Sequence, residues 1–248
     1  MSKEPFSAVI ISYNEASQIK RCLNSLKGCV DEILVVDSGS HDGTQEIVQD
    51  FGATLIVQKW LGFGPQKDFS VKNAKYDWVL CLDSDEELTD QLKENILIEM
   101  EKPCFKAYEF NRQNIFLGKG LKHGAAYPDR KLRLFHREHA YWNLRSVHEI
   151  VETKCKIGFL KGDLKHYSDY QGLQHYIEKQ NTYTSIQAKS LQRPSYFSLI
   201  FRPIYTFIKY FILKKGFLDG TPGLVHILIA SFNTFQKLAK AFENKRKE

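Results

Sequence analysis

The sequence predicts an α/β fold: a mostly parallel sheet flanked by helices, followed by a C-terminal amphipathic helical extension. Three observations predict it. Short apolar runs alternate with helical periodicity in the N-terminal part. Acidic or small polar residues stand directly behind three of those runs. The last third of the chain is basic, aromatic and periodic.

The elements follow in order. Phe6 to Ser12 (FSAVIIS) is rich in β-formers and reads as a buried strand. Glu15 to Leu26 places Ile19, Leu23 and Leu26 at helical spacing. Ile33 to Val36 reads as a second buried strand, and a helix beginning near Asp42 carries Ile47 and Val48 inward. Thr54 to Val57 is a third strand, Gln66 to Ala74 a helix, and Trp78 to Leu82 a fourth strand. Fully apolar strands joined by helical crossovers imply parallel pairing with both faces covered. Beyond residue 100, Ala107 to Phe110 and Lys131 to Phe135 alternate like half-exposed strands, and Leu173 to Leu191 is helical. Gly220-Thr-Pro-Gly223 reads as a turn into a last helix. Residues 1–170 form the expected main domain, with a first half to about residue 100, and 171–248 form the extension.

Composition excludes several classes. The five cysteines are scattered without a C-x-x-C pair, which disfavours a disulfide scaffold or a zinc knuckle and favours a reducing compartment. Met1 to Pro5 carries no signal-peptide pattern, so a cytoplasmic protein is expected. The net charge of +6 is uneven: residues 171–248 hold 12 Lys and Arg against 4 Asp and Glu, and the rest hold 23 against 25. The stretch Tyr196 to Leu213 is apolar but broken by Arg202, Pro203 and Lys209, so it does not read as a membrane span. A basic, aromatic helix suits an anionic membrane surface; packing on the main domain or a homo-oligomer contact is the competing reading. The cations are interleaved with large aliphatics, which disfavours nucleic acid.

Ligands in open α/β sheets bind beyond the carboxyl ends of the strands. That rule singles out Tyr13-Asn14-Glu15, Asp37-Ser38-Gly39 and Asp83-Ser84-Asp85. Asp83 and Asp85 are two apart, so in an extended segment both side chains point the same way. Two such carboxylates favour a divalent cation, Mg²⁺ or Mn²⁺, of the kind shared with substrate phosphates. A polar loop leading into a helix N-terminus is the plainer alternative, and Glu86 and Glu87 are assigned to it. A carboxylate at Asp37 can accept from a ribose hydroxyl or a base N–H, while Asp42 caps the following helix. Neither G-x-G-x-x-G nor G-x-x-x-x-G-K-[ST] occurs, which argues against a dinucleotide oxidoreductase and a P-loop nucleotidase.

ISYNEA (Ile11 to Ala16), VVDSGSHDGT (Val35 to Thr44) and LDSDE (Leu82 to Glu86) occur in order. Together they make the chain resemble family 2 glycosyltransferases of the GT-A fold, in particular bacterial enzymes that add glucose to the inner core of lipopolysaccharide or lipooligosaccharide. The resemblance continues through Trp60 to Lys67, Phe116 to Lys119, Tyr127 to Asp129, Leu132 to Phe135, Val147 to Glu149, His166 to Ser168 and Gly216 to Gly220. It implies a nucleotide-sugar donor, an inverting transfer and a divalent metal. By motif match, Tyr13, Asn14, Glu15 and Asp37 would lie around the uridine. Asp83, with Ser84 beside it, would sit near the ribose and diphosphate, and Asp85 would be the main metal contact.

Charge building on the departing diphosphate calls for cations. Lys67 is a candidate, with a solvated helix lysine as the alternative; Arg130, Lys131 and Arg133 form a second basic group. Inversion calls for a base, and Glu149 and Asp129 are the two candidates. Structural readings are a salt bridge for Glu149 and a turn carboxylate for Asp129. His148 and His166 could orient carboxylates or touch phosphate, whereas His123 and His136 read as polar or packing residues. Trp60 and Trp142 could stack on a sugar or belong to the core. The implied partners are a UDP-sugar, a lipopolysaccharide-core acceptor and the inner face of the cytoplasmic membrane. Another acceptor (capsule, polyprenyl phosphate, peptide) or a non-catalytic sugar-nucleotide binder are the alternatives.

Overall fold

The computed structural model describes residues 3–144 and 149–246. The chain divides into two compact units, Met1–Arg112 with Arg130–His166, and Gln113–Asp129 with Tyr167–Glu248.

The first unit is built on a mixed sheet. Its parallel part comprises β1 (Phe6–Ser12), β2 (Glu32–Asp37), β3 (Thr54–Val57) and β4 (Trp78–Asp83), in the order β3-β2-β1-β4. The path continues through β8 (Asp129–His136), β6 (Ala107–Phe116), β11 (Ile157–Tyr167) and β5 (Glu86–Leu88). β8 runs antiparallel to β4, and β11 antiparallel to β5. The parallel pairing expected from the apolar runs therefore stops at β4. β9 (Ala140–Trp142) and β10 (Val151–Thr153) form a separate antiparallel ribbon.

Every residue of β1 is buried because both sheet faces are covered. Phe6, Ala8 and Ile10 face a core completed by α1 (Ala16–Leu26), α2 (Thr44–Asp50) and α4 (Asp90–Glu101). Val9 faces a second core that holds Val71 of α3 (Phe63–Lys72) and Trp142 of β9. α1 seats Ile19, Cys22, Leu23 and Leu26 on the first core, each large aliphatic contributing roughly 1.5–3 kcal/mol by burial. α3 starts three residues before the expected Gln66, since the turn at Gly62 (φ +100°) opens it.

The register aligns the strand ends. Ser12 pairs with Asp37 and Ile11 with Asp83, so the loops after β1, β2 and β4 emerge on one edge.

In the second unit, β6 turns into a hairpin with β7 (Lys119–Gly120), Ile115 opposite Gly120. Then come α5 (Leu173–Ala188), α6 (Tyr196–Ile208), a π-helical turn over Lys209–Leu213, a 3₁₀ turn over Gly216–Asp219 and α7 (Gly220–Asn244). α7 packs on both α5 and α6. Gly216-Phe-Leu-Asp-Gly220 acts as a clamp here: the Asp219 carboxylate accepts from the backbone N–H groups of Lys122 and His123 and meets His123 Nδ1 at 2.9 Å. Among the described residues, no helix is long and apolar enough to cross a membrane.

Candidate active site

The site lies in the first unit, where β1, β2 and β4 end. Asp37 closes β2 with its carboxylate fully buried. Oδ1 accepts from the backbone N–H of Gly39 and Ser40 and from Gln45 Nε2; Oδ2 accepts from the Ser12 and Ser40 hydroxyls. Burial pushes the Asp37 pKa up, but bonds from Ser40, Ser12 and Gln45 outweigh it and hold it below the usual range. The chain's own donors thus engage both oxygens, and Asp37 shapes the loop. Asn14 adopts a left-handed conformation (φ +55°); its N–H donates to Ser40 Oγ, and its side-chain oxygen accepts from His41 N. The Glu15 N–H donates to Thr44 Oγ1 and its carbonyl opens α1. Tyr13 is 53% exposed and meets His41 edge-on, leaving an aromatic face at the loop's surface.

The end of β4 carries an alternating ionic chain. Lys67, almost fully buried on α3, puts Nζ 2.9 Å from Asp83 Oδ1 and 2.9 Å from Glu149 Oε1. Arg133 on β8 reaches Asp83 Oδ2 at 2.9 Å and Glu86 Oε1 at 3.3 Å. Trp142 lies under both cations, its ring 4.8 Å from Lys67 Nζ and 5.4 Å from the Arg133 guanidinium carbon. It is core rather than an exposed stacking platform, and its indole N–H donates to Cys81 Sγ. Burial alone would raise the Asp83 pKa, but Lys67 and Arg133 overcome it and hold the carboxyl well below the usual range. Burial likewise opposes the Arg133 charge, and Glu86 with Asp83 overrides it upward. Nε and Nη1 of Arg133 are buried without a hydrogen-bond partner among the described residues.

Two assignments change. Glu86 is no helix-start carboxylate: α4 begins at Asp90 behind a Thr89 cap, and Glu86 lies buried in β5. Its carboxylate meets Arg133 and Arg112 and accepts from Asp83 N. Of the basic group at 130–133, Arg133 turns into the site, whereas Arg130 pairs with Glu109 at the surface. Glu86 was assigned to a helix start because it follows the acidic turn directly, whereas Arg112 escaped sequence reading because an isolated Arg on a strand carries no local signal. Asp129 opens β8 and groups with the second unit. Trp60 stays 43% exposed against Phe63. Val147 and His148 lie outside the described residues.

Ser84 is buried in the turn between β4 and β5. It brings Asp85 Oδ2 within 3.4 Å of His166 Nε2 on β11, both side chains largely buried. A carboxylate facing an imidazole fits a small divalent cation, with Mn²⁺ better suited than Mg²⁺ to the nitrogen. A second group gathers at the opposite end of β8: His136, Glu138 and His139 hold donor atoms within 4.8 Å of one another. The sequence reading of the histidines as polar or packing residues, without His-x-x-His ligand spacing, is corrected here, since His136 and His139 have that spacing.

The profile of glycosyl transferase family 2 matches residues 7–168. The chain belongs to that family. A glycosyltransferase of Rickettsia typhi is 33% identical over 96% of this chain and 86% of its own length. The Rhizobium meliloti lipopolysaccharide core biosynthesis glycosyltransferase LpsC is 28% identical over 96% of this chain and 94% of its own. The solved structure of S. aureus TarS residues 1–349 in complex with UDP superposes with a TM-score of 0.51 at 17% identity, covering 98% of this chain and 91% of that one. The fold is accordingly the α/β GT-A fold with a helical C-terminal extension, and the family's activity is glycosyl transfer.

Proposed function

We propose that the protein moves a hexose, glucose foremost, from a UDP-sugar to a heptose of the lipopolysaccharide inner core with inversion at the anomeric carbon. The observation that carries this reading is the ionic chain Glu149–Lys67–Asp83–Arg133 at the strand-end edge, with Nε and Nη1 of Arg133 buried and without a partner among the described residues. Uncommitted donors in a dry site suit the oxygens of a diphosphate. The name of the Rhizobium meliloti relative supports a lipopolysaccharide acceptor, and the UDP bound to TarS supports the nucleotide.

In this mechanism Tyr13 and the Asn14 loop receive the uridine, while Lys67 and Arg133 meet the diphosphate. Asp85, with His166, would hold Mg²⁺ or Mn²⁺, which supplies further positive charge to the leaving group. The acceptor oxygen forms its bond to the anomeric carbon as the bond to diphosphate breaks, the electron pair leaving with UDP. The hydroxyl proton passes to the Glu149 carboxylate. Lys67 orients Glu149 before the acceptor arrives; Asp129 is the second candidate base. One displacement from the far side gives inversion. The exposed apolar residues of α6, among them Phe197, Phe201, Ile204 and Ile208, rest on the inner face of the cytoplasmic membrane where such an acceptor lies.

The test incubates the protein with UDP- and GDP-sugars, Mg²⁺ or Mn²⁺, and truncated lipopolysaccharide, and reads product masses. A hexose added with UDP-glucose and abolished by chelation is expected. Transfer to another acceptor alone would sink the lipopolysaccharide reading, and nucleotide binding without any transfer would sink the enzymatic one.

A further inference from the structure

We infer that the cavity between α5, α6 and α7 binds the phosphorylated headgroup of an anionic membrane lipid, an inference that rests on the membrane reading of α6. The cavity has a volume of about 310 Å³ and lies wholly within the second unit. That is room for a phosphorylated polyol of modest size. Its lining mixes Lys209, Lys237, Tyr205, Tyr210, Thr206 and Asn233 with other hydroxyl and amide groups, and no lining residue is acidic.

The two lysines carry the argument. Both are half-buried, and among the described residues neither Nζ has a hydrogen bond or an ion pair; Lys209 only lies 5.4 Å from the Tyr210 ring. The neighbouring Lys240 shows the contrast, since its Nζ donates to Asn181 O, Asn181 Oδ1, Thr184 Oγ1 and Ser185 Oγ. Neither Nζ is among the buried polar atoms, so both ammonium groups stay open to solvent beside the cavity, where a phosphate oxygen would accept from them. Lys209 also opens the π-helical turn, a distortion that occurs frequently at functional sites.

The surroundings select an amphiphile. Tyr205 lines the cavity and is 60% exposed, and Phe201, Ile204 and Ile208 continue the exposed apolar surface on the same helix. A headgroup phosphate seated at Lys209 and Lys237 would leave its acyl chains beside that surface. The hydroxyls and amides of the lining suit a polyol such as glycerol next to the phosphate.

Flotation of the full chain with phosphatidylcholine vesicles, with and without phosphatidylglycerol, tests the inference. Anionic vesicles should bind at least about tenfold better. K209Q/K237Q should lose about fivefold per lysine, and K214Q/K215Q, an equal charge change outside the cavity, clearly less. A thermal melt and UDP binding, read on every variant, report folding. Equal losses in both double variants would reduce the effect to diffuse surface charge and overturn the cavity. Soluble glycerol phosphate binding as tightly as vesicles would reassign it to a free ligand. No vesicle binding by the unaltered protein would sink the membrane reading. Calorimetry with glycerol phosphate then judges the cavity separately, and silence there overturns it.

Discussion

At the residue scale, the chemistry is concentrated in a few buried charges. Glu149→Gln keeps an oxygen to accept from Lys67 but removes the proposed proton acceptor. Turnover should fall about 10²–10⁴-fold while UDP affinity measured by calorimetry stays unchanged. A variant as active as the parent would move the role to Asp129. Arg133→Met leaves the buried Glu86 with Arg112 and Asp83 with Lys67 as their remaining cations, so urea unfolding should show a loss of roughly 1–3 kcal/mol. Asp83 has a folded pKa well below its ordinary value because Lys67 and Arg133 offset burial. Its contribution to stability is therefore complete above the unfolded pKa near about 4 and is lost as pH falls through that value toward the folded one. The stability gap between the parent and Asp83→Asn, read as urea midpoints, should be widest at neutral pH and close below about pH 4. A gap independent of pH would mean that Asp83 acts by shape alone. Asp83 and Asp85 were legible because an apolar strand ends in them; Glu86 and Arg112 were not, because their pairing comes from different strands.

At the element scale, close approaches between elements decide what is tolerated. Gly162 of β11 has φ +105°, and a Cβ there would lie 2.5 Å from Leu92 N of α4. Gly162→Ala should cost about 1–3 kcal/mol from backbone strain alone, with the clash adding to it, measured as a lowered denaturant midpoint. The same α4 begins with Thr89, whose hydroxyl accepts from Leu92 N and donates to Asp163 O. Thr89→Ala should cost about 1 kcal/mol. Helix periodicity and strand runs made most of these elements readable. The cap at Thr89 was missed because the acidic residues before it drew the helix start forward, although they belong to a strand and its turn.

At the scale of the whole molecule, charge and apolar exposure converge on the helical extension. Residues 171–248 hold all of the excess positive charge, and none of the residues of α6 is buried. Raising the ionic strength from 0.1 to 1 M shortens the Debye length from about 10 Å to about 3 Å. Vesicle binding should weaken steeply over that range if anionic lipid is the partner, and should hold constant if apolar contact alone retains the protein. Either result is read from the same flotation experiment.

The sequence by itself determined the parallel half-sheet, its covered faces and the three strand-end motifs, since burial on both faces demands unbroken apolar runs and polar residues can stand only where those runs end. Tertiary structure alone decided the continuation of the sheet through β8, β6, β11 and β5, with its antiparallel pairings of β4 with β8 and of β11 with β5, the meeting of Lys67 with Glu149 across 82 positions of chain, and the burial of Glu86 between two arginines. The physical reason is locality. Periodicity reports what one element faces, whereas an ion pair in a site is set by the register of strands distant in sequence, and no single strand records its partner.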